Sequence, residues 1–430
     1  MTLDPNPDMR YRTVNDIDDI SRDIALAVGF IGEGEYRNSL EAIRRSLNLK
    51  GFVTQFDDTV FALELDLWNL ERLRARSFGR LRSFPNQCHA GIDFLIGLGQ
   101  TIPVLSEDGK KRLLGRLRKG LEEGLWPLQH ELAVAANLSK RGWDVSFNDL
   151  ERGRGFDFLV TQNGMTFEVE AKAISVHTGS PLKPEDIFKL LVEIKRRFKW
   201  QDGRTVPVIA VKFSSNVPPD RTRLQDLVSI INKVAETRCQ LSVHDMDIRF
   251  MEIIPNLGRE ELRKYGHFRA ETCKKPVLIN DTRPQVILEL ESGRPSKLGI
   301  KAIRTIKEAA AEQLSGRNPG IVWTHVNFVS AAEFSMLSSS RNGMPCLFDQ
   351  IANATLCSQR RSHLSQLVFS GASFLDRSYL TQRSSYRAVV YDSPSCRFGN
   401  SVIFEGGRKK HSSKADEKVS GTCEEINKNA

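Results

Sequence analysis

Between Gly155 and Ala173 the chain reads GFDFLVTQNGMTFEVEAKA, and this stretch concentrates the residues best suited to chemistry. Two apolar runs flank an Asn163-Gly164 pair, the pattern of a β-hairpin closed by a tight turn. Asp157 falls on the first arm, and Glu170 and Lys172 on the second. Residues two apart share one face of a strand, so Glu168, Glu170 and Lys172 line up while Phe167, Val169, Ala171 and Ala173 pack oppositely. The short connection favours antiparallel pairing, which carries the Asp157 carboxylate toward Glu170. Those two carboxylates and the main-chain carbonyl of Ala171 make a hard oxygen set suited to Mg²⁺ or Mn²⁺. Such an ion lowers the pKa of a bound water and neutralises charge developing on a phosphate. Lys172 could orient or deprotonate that water, or hold the phosphate.

Spacing alone does not single out Glu170-Ala171-Lys172. An acid two residues before a lysine also occurs at Asp108–Lys110, Glu193–Lys195 and Asp416–Lys418, in a loop or helix start, a helix and a tail. The strand context separates this instance from the others. A third acid comes from the preceding helix, where Leu128, Leu132, Ala135 and Leu138 form an apolar stripe that contains Glu131. An inward carboxylate needs a partner, since an unpaired buried charge is costly. The partner could be a metal ion, an active-site lysine, or an arginine such as Arg152 or Arg154. The bland alternative for the whole set is an amphipathic hairpin with a surface ion pair between Asp157 and Lys172.

The elements that must position these residues follow from the hydrophobic periodicity. The first 122 residues read as mainly helical: Ile17, Ile20, Ile24 and Val28 recur at helical spacing, as do Leu40, Ile43 and Leu47. A basic helix follows Ser106 and carries Lys110, Lys111, Arg112, Arg116, Arg118 and Lys119, either a phosphate grip or a solvated face. From 123 to 240 the order is helix (PLQHELAVAANLSKR), three strands (143–147, 156–161, 166–173), helix (PEDIFKLLVEIKRRF), strand (VPVIAVKF) and helix (RLQDLVSIINKVAET). Residues 241–405 continue the alternation with strands MDIRFMEII, QVILELE, IVWTHVNFV and YRAVVY and the helix GIKAIRTIKEAAAEQL. These either extend the same sheet or form a second α/β unit. Residues 406–430 are polar and read as a disordered tail.

Composition narrows the function classes. With 40% hydrophobic and 27% charged residues, the chain has the make-up of a soluble globular protein of two or three domains. The segment MTLDPNPDMR lacks an apolar core for a secretory signal, and the best apolar run, IDFLIGLG, is too short to span a bilayer. Seven dispersed cysteines argue for free thiols in a reducing, cytoplasmic setting. The net charge of +9 is compatible with a polyanionic partner without demanding one. His130-Glu131 begins like a zinc-protease motif, but Val134 stands where the second histidine belongs. There is no phosphate-binding G-x-x-x-x-G-K-[ST] loop and no G-x-S-x-G nucleophile elbow. His177 and His325 lie near strand ends, where a lone histidine is more often a polar surface or core residue.

An acid on a helix, an Asp on one strand and Glu-x-Lys on the next resemble the PD-(D/E)xK nuclease superfamily, over roughly residues 126–238. The resemblance implies an α/β protein with a restriction-endonuclease-like αβββαβ core and mixed sheet, preceded by a mainly helical N-terminal region. It implies Asp157, Glu170 and Lys172 as the catalytic set with Glu131 as the auxiliary helix acid, and Mg²⁺ or Mn²⁺ held by Asp157, Glu170 and the Ala171 carbonyl. One departure is that Phe156 stands before Asp157, where the family name places proline. DNA is the expected substrate and RNA is not excluded, in defence, repair or mobile-element processing. Lys189 and Arg196, on the helix after the hairpin, are the expected phosphate contacts. The alternative is a catalytically inactive nuclease fold that binds nucleic acid or serves assembly.

Overall fold

The structure is a computed structural model that describes residues 17–50, 63, 67, 70–71, 89–123, 125–175, 182, 184–198, 205–214, 217, 220–243, 246–253, 274–279, 286–294, 297–327, 331–340, 344–357, 361–371 and 387–398. In chain order, helices α1 (Ile17–Ile31), α2 (Glu33–Lys50), α3 (His89–Thr101), α4 (Glu107–Glu123) and α5 (Trp126–Lys140) come first. Strand β1 (Asp144–Phe147), the short helix α6 (Asn148–Arg152), β2 (Phe158–Gln162) and β3 (Met165–Ser175) follow. Next are α7 (Pro184–Arg197), β4 (Val206–Phe213), α8 (Arg221–Thr237), β5 (Leu241–Val243), β6 (Met246–Ile253), β7 (Lys274–Ile279) and β8 (Val286–Ser292). The last are α9 (Leu298–Glu308), continued by a π turn at Ala309–Gln313, then β9 (Gly320–Asn327), α10 (Ala331–Ser338), α11 (Leu347–Leu356), β10 (Leu364–Gly371) and β11 (Arg387–Asp392). The chain is thus a mixed α/β protein. Among the described residues no helix is long and apolar enough to cross a membrane.

The elements group into two units: residues 1–43, 63–175 and 299–430 in the first, and 44–62 and 176–298 in the second. In the first unit six strands form one mixed sheet in the order β1-β2-β3-β9-β10-β11. β1, β2 and β3 are an antiparallel meander, β9 runs parallel to β3 and β10 parallel to β9, and β11 closes the edge antiparallel. One sheet face carries Phe158, Val160, Phe167, Val169, Ala171, Ile321, Trp323 and Val368, buried against the apolar stripes of α1, α3, α4 and α5. Each fully buried Leu, Ile or Phe in that layer contributes about 1.5–3 kcal/mol. Phe369, on the opposite face of β10, stacks on Phe348 of α11 with ring centroids 4.4 Å apart, so helices lie on both faces.

The second unit has a five-stranded sheet in the order β5-β6-β4-β8-β7, with β4 and β8 parallel and the other pairs antiparallel. Ile187, Leu190, Leu191 and Ile194 of α7 and Leu224, Leu227, Val228 and Ile231 of α8 bury one face of β4 and β8. Asp220 caps α8 by accepting from the Arg223 amide at 2.8 Å.

Two expectations about organisation change. The contiguous order expected across 126–238 is not what the sheets show: β4 and α7 belong to the second unit, and β3 instead has β9 as its parallel neighbour, preceded by α9. The linear divisions at 123–240 and 241–405 therefore give way to an interrupted first unit with 176–298 outside it. The physical reason is that VPVIAVKF and GIVWTHVN are both buried strands with near-continuous apolar runs, and such a run announces a strand without naming its neighbour. The later elements, which the sequence leaves undecided, divide between the two sheets: β9 and β11 extend the first while β6 and β8 build the second. The N-terminal helices form where expected; residues 406–430 lie outside the described residues.

Candidate active site

The hairpin sets the site. Asn163 (φ 51°) and Gly164 (φ 76°) make the turn, which fixes the register from Gln162 opposite Met165 to Phe158 opposite Val169. β2 starts there, but β3 runs on to Ser175, leaving the main chain of its second half without β2 alongside. Asp157 stands immediately before β2, at the point where that register would meet Glu170. Its Oδ2 accepts the Ala171 N–H at 2.7 Å. An extended residue presents its N–H and C=O to the same side, so the Ala171 carbonyl faces the same open edge.

The approach to Asp157 is held by a local framework. Gly153 (φ 74°) ends α6 and Gly155 (φ 91°) turns the chain back, both in the left-handed region that favours glycine. Asn148 ties this loop down, with Nδ2 donating to the carbonyls of Arg154 (3.2 Å) and Phe156 (3.0 Å) and its amide donating to the Asp157 carbonyl (2.8 Å). Arg112 of α4 caps α6 through the carbonyls of Leu150 (2.7 Å) and Glu151 (2.9 Å).

Around Asp157 the charges converge from four elements, α4, α5, α6 and β3. Glu170 is 1% exposed; Lys172 Nζ pairs with its Oε1, while its Oε2 is buried with no hydrogen-bond partner among the described residues. Glu131 is held by Arg116 Nη1 at 2.7 Å, and Arg116 Nη2 pairs with Asp149. Burial pushes the Glu170 carboxyl up to about 8, with Asp157 adding to the rise and Lys172 opposing it. Asp157 rises to about 6, first through burial and then through Asp149, against the pull of the Ala171 amide. Glu131 is raised well above the usual carboxylate range, by burial and then by Asp157, and Asp149 is raised mainly by burial. Burial opposes the Arg116 charge, but Glu131, Asp149 and Asp157 prevail and raise its pKa. Four carboxylates here face one guanidinium and one ammonium, an excess of two negative charges when all are ionised.

Glu168 shares the face of Glu170 but has a different task. It is 1% exposed and satisfied by the Ser315 amide (2.6 Å), the Ser315 hydroxyl, and the Asn318 amide and side chain (both 3.3 Å). It pins the turn leading into β9. Beneath the opposite sheet face, His130 and His325 stack with centroids 5.0 Å apart. His130 Nε2 hydrogen-bonds the Trp323 carbonyl (3.1 Å), and His325 Nδ1 meets Ser370 Oγ (3.0 Å). Burial draws His130 down to about 4 and His325 well below its usual value, so both are neutral core groups.

The structure brings Asp157, Glu170, Lys172 and Glu131 together in one unit, as the hairpin reading expects. The inward Glu131 finds an arginine, but it is Arg116 from the basic helix rather than Arg152 or Arg154. Asp149 and Arg116 are functional candidates that sequence reasoning missed. The available signal was an acid in the NDL segment between two strands and one arginine among six cations on a helix. Lys189 and Arg196 are not placed beside these acids by any shared sheet: both lie on α7 of the second unit, ion-paired to Asp186 (3.5 Å) and Glu193 (3.3 Å). His177 lies outside the described residues.

Among the described residues no group of three or more His, Cys, Asp and Glu side chains is arranged to hold a metal ion. The donors that fit one are two carboxylates with a main-chain carbonyl, at Asp157, Glu170 and Ala171. The buried Glu170 Oε2, without a partner among the described residues, is what such a group would satisfy. No family model matches the chain, and neither a curated protein nor a solved structure matches it.

Proposed function

We propose that this chain is a Mg²⁺- or Mn²⁺-dependent phosphodiesterase that cleaves DNA on a restriction-endonuclease-like core. The observation that carries the reading is Glu170 Oε2, a buried carboxyl oxygen left without a partner among the described residues, beside Asp157. Burying such a group costs several kcal/mol, and a cation is the partner that would recover it. The element order is compatible with the fold assignment: with residues 176–298 set aside, the first unit reads α5-β1-α6-β2-β3-α9-β9, an αβββαβ sequence with the short helix α6 added between its first two strands.

Asp157, Glu170 and the Ala171 carbonyl would hold the ion. When bound, it supplies a Lewis acid for a phosphate oxygen and a more acidic water. The residues of the chain do the rest. The Ala171 amide fixes the Asp157 carboxylate at the strand edge, so little reorganisation is needed. Lys172, one quarter exposed, is anchored by Glu170 Oε1 and has further N–H groups to direct at a phosphate oxygen or an attacking water. Glu131 shapes the field around the carboxylates through Arg116. The substrate is tested by incubating the full chain in Mg²⁺ or Mn²⁺ with plasmid, linear and single-stranded DNA and with RNA. Cleavage of a DNA form is expected, and inertness toward every polymer in both metals contradicts the proposal.

A further inference from the structure

We infer that Asn148 is a positioning residue of the proposed site: its side-chain amide holds the loop at Arg154 and Phe156 so that the Asp157 carboxylate stands at the open edge of β3. The role in cleavage rests on the proposed function, whereas the placement of Asp157 does not. Pairing of β1 with β2 ends at Phe147 opposite Phe158, and the chain turns into α6 at the next residue. The Asn148 amide makes one further link, donating to the Asp157 carbonyl at 2.8 Å. From there the side chain replaces the missing strand. Its Nδ2 donates to the carbonyls of Phe156 (3.0 Å) and Arg154 (3.2 Å), two acceptors that only the nitrogen end of the amide can serve.

Asn148 is 8% exposed, and a buried amide is costly unless it is bonded in this way. Gly155, between the two carbonyls it holds, has φ 91°, and an added Cβ there would come within 3.1 Å of Nδ2. Asp157 is thus gripped twice. Its carbonyl accepts from Asn148 on the β1 side, and its Oδ2 accepts from the Ala171 N–H at 2.7 Å on the β3 side. The second bond reports on the first, because a carboxylate whose main chain drifts releases that amide. Asn148 takes no part in the apolar layer under the sheet, so its loss should act on this loop rather than on the core.

Hydrogen exchange in the full chain labelled with ¹⁵N-alanine tests this. The Ala171 amide is identified by the loss of its resonance in Ala171→Gly, and the fully buried Ala135 of α5 and Ala352 of α11 serve as internal references. Asn148→Ala and Asn148→Asp, which leave no side-chain N–H donor, should speed Ala171 exchange about tenfold or more and keep the references within about twofold. Unchanged Ala171 exchange in both variants overturns the inference. So does equal acceleration of all three amides, which would assign Asn148 to general stability. Gly155→Ala keeps every Asn148 atom, carries the test should the Asn148 variants not fold, and should also speed Ala171; an unchanged Ala171 there overturns the inference. In the cleavage assay Asn148→Ala should lower kcat about tenfold with KM for DNA within about twofold, because Asn148 acts through Asp157 and not on the substrate. A kcat at the wild-type level overturns the inference and leaves the proposed function standing. A wild type that cuts nothing overturns the proposed function, and Ala171 exchange still decides what holds Asp157.

Discussion

The ammonium of Lys172 holds one carboxylate oxygen of Glu170 and leaves the other buried without a partner among the described residues. This is an arrangement in which stability and function oppose each other, because the group most useful to a cation is the one the folded chain alone serves worst.

Glu170→Gln is therefore expected to leave folding intact. With its carboxyl raised to about 8 by burial, Glu170 is mostly protonated near neutrality, and glutamine copies that shape without the cost of ionisation. Scanning calorimetry without divalent ions should show a melting temperature unchanged or higher by a few degrees, equivalent to about 1 kcal/mol or less. Added Mg²⁺ should raise the melting temperature of wild type and leave the variant where it was.

The pH dependence follows with a definite sign. Asp157 and Glu170 have folded values raised to about 6 and about 8, above their ordinary carboxylate values. Between the unfolded and folded values the native state binds more protons, so stability held at low pH is lost as pH rises through this window. Melting temperatures at about pH 5, 7 and 9 should fall more steeply for wild type than for Glu170→Gln. Because a cation binds the ionised form, the Mg²⁺-induced gain should grow over the same range. Equal slopes in the two proteins would remove Glu170 from the account.

Glu168 provides the opposite case. It accepts from Ser315 and Asn318 and ties the turn before β9 to β3, so Glu168→Ala removes the acceptor of several partly buried donors at once. A loss of about 2–4 kcal/mol, read as a lower denaturant midpoint, is expected. A variant that stays folded should retain metal uptake. Destabilisation by Glu168→Ala below about 0.5 kcal/mol would show that these bonds are not made.

The second unit keeps its own core, built from α7, α8, β4 and β8. Residues 176–298 expressed alone are expected to fold cooperatively, with dispersed amide resonances and a single unfolding transition. A fragment that gives a collapsed amide spectrum would mean that its core depends on the rest of the chain.

Much of the site was legible because it is local. Asn163-Gly164 dictates the hairpin, the hairpin dictates register, and register places Asp157 opposite Glu170. Inward placement of Glu131 could be read from its apolar neighbours, but the identity of its partner could not. Arg116 reaches Glu131 across a packing of two helices, and nothing in a helical charge run tells which cation turns inward. The same limit hid Asp149, whose short helix α6 is held by tertiary bonds from Arg112 rather than by propensity. It also hid the pairing of β3 with β9 across residues 176–298, since strand patterning carries no address. Lys189 and Arg196 were assigned by sequence adjacency, and adjacency in the chain ends at Ser175 where the first unit is interrupted.

The central claim is that Asp157, Glu170 and Lys172 act as one metal-dependent catalytic set on DNA. Its most direct measurement is Mg²⁺- or Mn²⁺-supported cleavage of labelled DNA by wild type beside Glu170→Ala and Lys172→Ala, with DNA binding followed in parallel by gel shift. Wild type should cut, chelation should stop it, and both variants should lose about a hundredfold or more of the rate while still binding DNA. Identical products from all three proteins, or no cutting by any of them, would contradict the account.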